Sequence, residues 1–343
     1  MSRSAWDGIQ RNVILIGDAR LRLAELPGGS VDCVVTSPPY FNLRDYGTQG
    51  QIGLEANVDE WVDELRLVMR GIARVLKPSG SVWLNLGDTY SRRDRHGAPP
   101  KSLVLGPERL ALALIADGWT IRNKTVWAKT NSMPSPVKDR LACSWEVVYL
   151  LVRSRWYFFD LDAIRIPHRS RGQARRPAKA TQRHSLPNRP AWAGPLAGNN
   201  SGLARMKARG LVGHPLGKNP GDVWSVAPSS FRGSHHATFP PDLVERPLLS
   251  TCPERVCTLC GVPWRRRSAA TGGDSSGELL SSCRCHAGSR PGLVLDPFFG
   301  AGTVGLVAER LGRDWVGIEL NPAFAAVAEE RISAARITEA KAA

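Results

Sequence analysis

Residues 293–320 read "LVLDPFFGAGTVGLVAERLGRDWVGIEL", the pattern of a strand, a glycine loop, a helix and a second strand. Gly300-x-Gly302-x-x-Gly305 lies between the apolar runs, and an acid, Glu319, stands 19 residues beyond Gly300. Doubly wound α/β sheets hold nucleoside ligands with such a unit. Its glycines let the backbone approach the ligand, and a carboxylate ending the next strand accepts both ribose hydroxyls. Taken literally, the spacing matches a dinucleotide fingerprint, but two features point away from NAD. Asp296, ahead of the glycines, would repel a pyrophosphate yet pair with an ammonium. Only 38 residues follow Gly305, too few for the rest of a dehydrogenase sheet, so the other strands must precede this unit. S-adenosylmethionine has a ribose, an adenine and an aminoacyl ammonium but no phosphate, and it fits better.

The earlier sequence supplies those strands. "NVILIGD" (12–18) and "VDCVVT" (31–36) are short β-branched runs bounded by turn residues, as buried strands require. Residues 57–76 predict an amphipathic helix, with Asn57 as N-cap and Trp61, Leu65, Val68, Ile72 and Val75 on one face. "KPSG" is expected to stop it, and "SVWLNLG" to form the next strand. A helix over 107–117 and strands at "TIRNKTVWAK", "SWEVVYLLVRS" and "GDVWSV" complete an alternation typical of a helix-flanked, mostly parallel sheet.

The second of these strands runs into Thr36-Ser37-Pro38-Pro39-Tyr40. Two prolines cannot continue a helix or a central strand, because they lack N–H donors. A rigid turn at a strand's C-terminal edge is where such sheets place their chemistry. The Ser37 hydroxyl and the Pro38 carbonyl can accept hydrogen bonds from an amino group, and Tyr40 offers a ring for stacking. That set suits the exocyclic amine of a nucleobase, whose lone pair is delocalised into the ring. Two acceptors aimed at its hydrogens localise the lone pair, so that methyl transfer from a sulfonium proceeds by positioning and electrostatics. The base must leave the duplex to reach the site.

"VVTSPPY" and "DPFFGAGT", in this order and separated by a basic insert, resemble the motifs of the beta group of amino-methylating DNA methyltransferases. The resemblance spans roughly 10–160 and 220–335. It implies a target-base site of Ser37, Pro38, Pro39 and Tyr40. It also implies a cofactor site in which Asp296, Phe298, Gly300, Gly302 and Thr303 line the methionine part and Glu319 binds the ribose. "HHATFPPDL" resembles the short motif ahead of the cofactor loop, so His236, Thr238 and Phe239 are expected to close that pocket. Asp18 occupies a place where the family often has an acid near the adenine. Ser-Pro-Pro-Tyr is the family's form mostly for N4 of cytosine and Asp-Pro-Pro-Tyr mostly for N6 of adenine, so N4-cytosine is favoured, with N6-adenine as the alternative.

The chain carries a formal charge of +15 and has a pI near 10.0. Between Arg153 and Lys218 lie 14 Lys and Arg against Asp160 and Asp162, a net +12. With Trp156, Tyr157, Phe158 and Trp192 interspersed, that stretch is expected to contact double-stranded DNA and to read the target sequence. Three regions follow: residues 1–155, the catalytic part; 156–220, the basic recognition insert; and 221–343, the cofactor part. The loop at 125–140 is expected to lie beside the active site, with Trp127, Lys129 and Asn131 approaching the base or its phosphate.

Five of the seven cysteines fall between 252 and 285. Clustered thiols in a chain with no secretory leader read as metal ligands rather than disulfides. Cys257-x-x-Cys260 and Cys283-x-Cys285 predict a structural zinc within a loop at 252–286, with Cys252 or His286 as possible substitutes for one ligand. Cys33 and Cys143 are expected as core residues in strands. The absence of a long apolar run predicts a cytoplasmic protein with no membrane segment, and a restriction endonuclease is a possible partner. A permuted NAD-dependent oxidoreductase would leave the proline turn and basic insert unexplained. A non-catalytic DNA-binding protein would leave Ser37, Tyr40, Asp296 and Glu319 unexplained.

Overall fold

The computed structural model describes residues 8–167, 214, 216–229, 240–267 and 278–342. The chain divides into two compact units: Leu161–Pro220, and all that precedes and follows it. In the smaller unit, Ile166 and Lys218 exchange backbone hydrogen bonds of 2.9 Å each, and Arg165 pairs with Asp162 at 2.5 Å. Most of the basic stretch, and the expected site residues His236, Thr238 and Phe239, lie outside the described residues.

The larger unit is built on an eight-stranded sheet ordered β1-β12-β11-β2-β3-β5-β4-β6. Its strands are β1 (Val13–Ile16), β2 (Val31–Thr36), β3 (Leu76–Leu86), β4 (Thr120–Lys129), β5 (Trp145–Val152), β6 (Val223–Val226), β11 (Leu293–Asp296) and β12 (Asp314–Glu319). All neighbours pair parallel except at β5, which runs against both β3 and β4. The expectation of a mostly parallel sheet therefore holds, with one reversed strand. β11 and β12 are inserted between β1 and β2, so segments distant in sequence meet side by side.

Helices cover both faces. On one, α1 (Ala19–Glu25), α2 (Val58–Val75) and α3 (Gly106–Ala116) pack over a core that includes Leu23, Trp61, Leu65, Ile72, Leu110 and Leu295. On the other, α4 (Pro241–Thr251), α5 (Thr303–Arg310) and α6 (Pro322–Ala342) enclose Val244, Leu248, Val304, Trp315 and Ile332. Asn57 caps α2 as expected, its side chain accepting from the N–H groups of Asp59 and Glu60.

Several readings are corrected. "KPSG" does not separate helix from strand: β3 starts at Leu76, directly after α2. Pro78 is accommodated because the strand bulges there, the register jumping from Val31↔Leu76 to Cys33↔Ser81. Trp127 is buried in the second core with its indole N–H on the Val226 carbonyl at 3.0 Å, so it cannot approach a base. Phe158 is likewise buried rather than free to touch DNA. Cys143 is exposed, outside any strand, whereas Cys33 is a core residue of β2. Among the described residues no helix is long and apolar enough to cross a membrane.

Candidate active site

The C-terminal ends of β1, β2, β11 and β12 converge on a cleft of about 890 Å³, within the usual range for small-ligand sites. β2 contributes Ser37 and Pro39, and the glycine loop contributes Phe298, Gly300 and Thr303. β12 ends in Glu319, and Asp18 follows β1. The proline turn and the glycine loop thus face one space. Their strands are direct neighbours, and the Thr36 hydroxyl donates to Asp296 Oδ1 at 2.7 Å.

Glu319 is 8% exposed. Its Oε2 accepts from Gly300 N–H at 2.7 Å and its Oε1 from Asn321 N–H at 2.8 Å. Each oxygen keeps a second lone pair for a ligand hydroxyl. Burial pushes its carboxyl above the ordinary glutamate range despite those donors. Asp296 is more deeply buried and does not line the cleft. Burial pushes its carboxyl up to about 7 against the hydrogen bonds from Thr36 and the Phe298 N–H. The structure therefore sets Asp296 beneath the loop, where it anchors the turn.

Gly302 also serves packing. It is left-handed at φ +74°, and a Cβ there would lie 2.9 Å from Ala328 Cβ on α6. The same helix grips the loop through Arg331, which donates to the Ala301 carbonyl and the Thr303 hydroxyl, both at 2.9 Å. Asp18 lines the cleft, but its carboxylate caps α1 through Arg20 N–H and pairs with the Arg20 guanidinium, which holds it below the usual carboxylate range. Arg20 also pairs with Glu64, so this cation of the cleft wall is already neutralised.

The proline turn is held from behind. Fully buried Trp61 on α2 donates its indole N–H to the Pro39 carbonyl at 3.0 Å. Among the described residues no backbone donor occupies the Pro38 carbonyl. Pro38 itself is buried and, like Tyr40, does not line the cleft. The Tyr40 ring packs against Gly87, where a Cβ would come 2.6 Å from Tyr40 Cε2. The Tyr40 hydroxyl donates to Glu146 Oε2 at 2.6 Å and stands 3.3 Å from Ser37 Oγ. Burial, with the Glu146 charge next to it, drives the Tyr40 phenol well above its ordinary pKa.

Sequence reasoning missed Asn85, Gly87 and Glu146 behind the turn. It also missed the far wall of the cleft, where Tyr46, Thr48, Gln51 and Ile52 face Asn321 and Phe324. Glu146 left a signal, since it is the one acid in an apolar strand, where an unpaired carboxylate is costly.

Cys257, Cys260, Cys283 and Cys285 come together with their sulfurs all within 4.8 Å of one another. Cys252 is excluded from this group, being buried in the second core. The cluster sits on an excursion whose two ends meet: Gly292 N–H donates to the Pro253 carbonyl at 3.1 Å just before β11. Strands β7 (Val256–Cys257), β8 (Arg265–Arg266), β9 (Leu279–Leu280) and β10 (Ser289–Arg290) form two small ladders there.

Fold and cleft define a doubly wound α/β domain with its ligand site at the topological switch point. The profile of the N6/N4 DNA methylase family matches residues 31–330, and the chain belongs to that family. It is 34% identical to the Type II methyltransferase M.XycI of Xanthomonas campestris pv. cyanopsidis, over 94% of this chain and 88% of that protein. Its fold is similar to that of PvuII DNA methyltransferase (cytosine-N4-specific), with a TM-score of 0.56 at 20% identity over 95% of this chain and 91% of that one. A DNA modification methylase structure from Thermus thermophilus, complexed with S-adenosyl-L-methionine, gives 0.51 at 22% identity over 94% and 95%.

Proposed function

We propose that this DNA methylase transfers a methyl group from S-adenosylmethionine to the exocyclic amine of a base flipped out of double-stranded DNA, N4 of cytosine in preference to N6 of adenine. The observation that carries the reading is the shared cleft: Ser37 and the Gly300 loop line one space. The bound cofactor supplies an electrophilic methyl on a sulfonium. Ser37 Oγ and the Pro38 carbonyl accept the amine's two hydrogens, which localises the nitrogen lone pair. Tyr40, braced on Gly87, stacks on the base. Glu319 takes the ribose hydroxyls, and Phe298 and Phe324 offer apolar walls to the rest. The neutralised Arg20 leaves this wall without a cation for a pyrophosphate, which argues against NAD.

The basic stretch from Arg153 to Lys218 is assigned the phosphate contacts and target reading on the strength of its charge. Likeness to Type II methyltransferases supports a restriction–modification setting in the cytoplasm, with a cognate endonuclease as partner. The test combines labelled S-adenosylmethionine, duplex DNA and methylome sequencing of cells expressing the protein. N4-methylcytosine at a fixed motif is expected. N6-methyladenine there would move the target to adenine, and unlabelled DNA would overturn the reading.

Glu319→Ala should weaken cofactor binding by about 10- to 100-fold, matching the ~1.5–3 kcal/mol of hydrogen bonds to a charged group. Calorimetric titration checks this, and unchanged affinity would reject the ribose role.

The four thiols fit a tetrahedral zinc: bonds of about 2.3 Å put sulfurs roughly 3.8 Å apart. A structural ion would close the 252–286 excursion, which lacks a core of its own. Metal analysis should return about one zinc per chain, and Cys257→Ser with Cys260→Ser should remove it and lower the melting temperature. A wild-type protein free of zinc after expression with added metal would refute the site.

A further inference from the structure

Ser37 heads a hydrogen-bonded file that leads away from the cleft. Its Oγ lies 3.3 Å from both Tyr40 Oη and Asn85 Oδ1. The Tyr40 hydroxyl proton is directed to Glu146 Oε2, at 2.6 Å the shortest contact it makes. Asn85 donates both amide hydrogens, to that same Oε2 at 3.1 Å and to the Val147 carbonyl at 3.2 Å. Lys129 holds the other carboxylate oxygen at 2.5 Å. Three donors therefore fix Glu146, and the methyl transfer described above uses none of Asn85, Lys129 or Glu146.

A hydroxyl accepts a hydrogen bond from an amine well but is too weak a base to keep its proton. Serine at position 37 therefore orients the target amine while leaving the reaction without a proton acceptor in the cleft. The carboxylate that could serve stands two hydroxyls deeper.

We propose that Ser37, Tyr40 and Glu146 form a proton exit for the reaction, with Glu146 as terminal acceptor; this rests on the methyl-transfer reading. The amine lone pair forms the new N–C bond, and the C–S bond breaks with its electron pair remaining on sulfur. The nitrogen, now cationic, gives a proton to Ser37 Oγ. The Ser37 hydroxyl proton passes to Tyr40 Oη, and that of Tyr40 passes to Glu146 Oε2. A sulfonium and a carboxylate become a thioether and a carboxylic acid, so charge is annihilated rather than separated. Both hydroxyls are regenerated, and Glu146 returns the proton to solvent through its 13% exposed side chain. Asn85 and Lys129 are positioning residues that keep Oε2 turned toward Tyr40.

The test is single-turnover methylation from pH 5 to 9 by the wild type, Tyr40→Phe and Glu146→Gln, with cofactor and DNA affinities measured alongside. Both variants are expected to bind cofactor as the wild type does and to lose about 10²-fold or more in rate, the scale of general acid–base catalysis. The wild-type rate should fall on the acid side as Glu146 becomes protonated, and that limb should vanish in Glu146→Gln. A variant with intact affinities and a rate within about threefold of wild type would overturn the exit. If Glu146→Gln fails to fold, Tyr40→Phe, which keeps the ring, decides alone. A wild type that binds cofactor yet methylates no DNA would instead remove the methyl-transfer reading.

Discussion

Ser37→Ala is expected to lower the single-turnover methylation rate by about 10²–10³-fold, the usual cost of deleting one preorganised polar group at a reacting centre, with cofactor affinity within about twofold of wild type. The asymmetry follows from where the hydroxyl sits. Ser37 lines the cleft on the β2 side, whereas the groups assigned to the ribose lie on β12 and the glycine loop. Alanine removes one of two acceptors for the target amine and interrupts the hydrogen-bonded file behind it. It leaves the turn intact, because Trp61 holds that turn through the Pro39 carbonyl. Parallel loss of cofactor binding and turnover would show that Ser37 is structural rather than aimed at the base.

Lys77→Met is expected to destabilise the fold by about 3–5 kcal/mol, the scale for stripping one partner from a buried ion pair. Lys77 and Asp32 meet at 2.6 Å with side chains only 5% and 2% exposed. The other oxygen of Asp32 accepts the Leu293 N–H at 3.0 Å. One carboxylate thus joins β2, β3 and β11, the strands that carry both halves of the site. Removing the ammonium leaves the charge buried and unmatched. Denaturant unfolding measures the loss, and a change under about 1 kcal/mol would mean that the pair adds nothing. Adding Asp32→Asn should recover part of the stability, because the amide oxygen still accepts from Leu293 while carrying no charge.

What the sequence discloses here is mostly local chemistry. The glycine loop, the proline turn and the Asn57 cap are legible because each rests on backbone constraints a few residues long, and the structure brings the first two to one cleft. The cysteines converge as their spacing suggests. Strand direction is not local. Nothing within "WEVVYLLV" distinguishes a reversed strand from a parallel one, because both read as a buried apolar run. Pro78 misled for a related reason: only the partner register reveals that it sits in a bulge. The Tyr46–Ile52 wall carries no motif, and its residues acquire a role only where the tertiary fold sets them against Asn321. Trp127 and Phe158 show the opposite error, large aromatics beside functional segments that belong to the core.

The insertion of β11 and β12 between β1 and β2 also dictates an order of assembly during translation. β2 is buried along its whole length, yet the edge that β11 will occupy has no partner until the ribosome has passed through most of the message. Until then the nascent chain carries an open apolar edge, a hazard for aberrant association and a natural client surface for chaperones. The same lateness is protective. No half-made chain can bring the proline turn and the glycine loop together, so a truncated translation product would leave the genome unmarked.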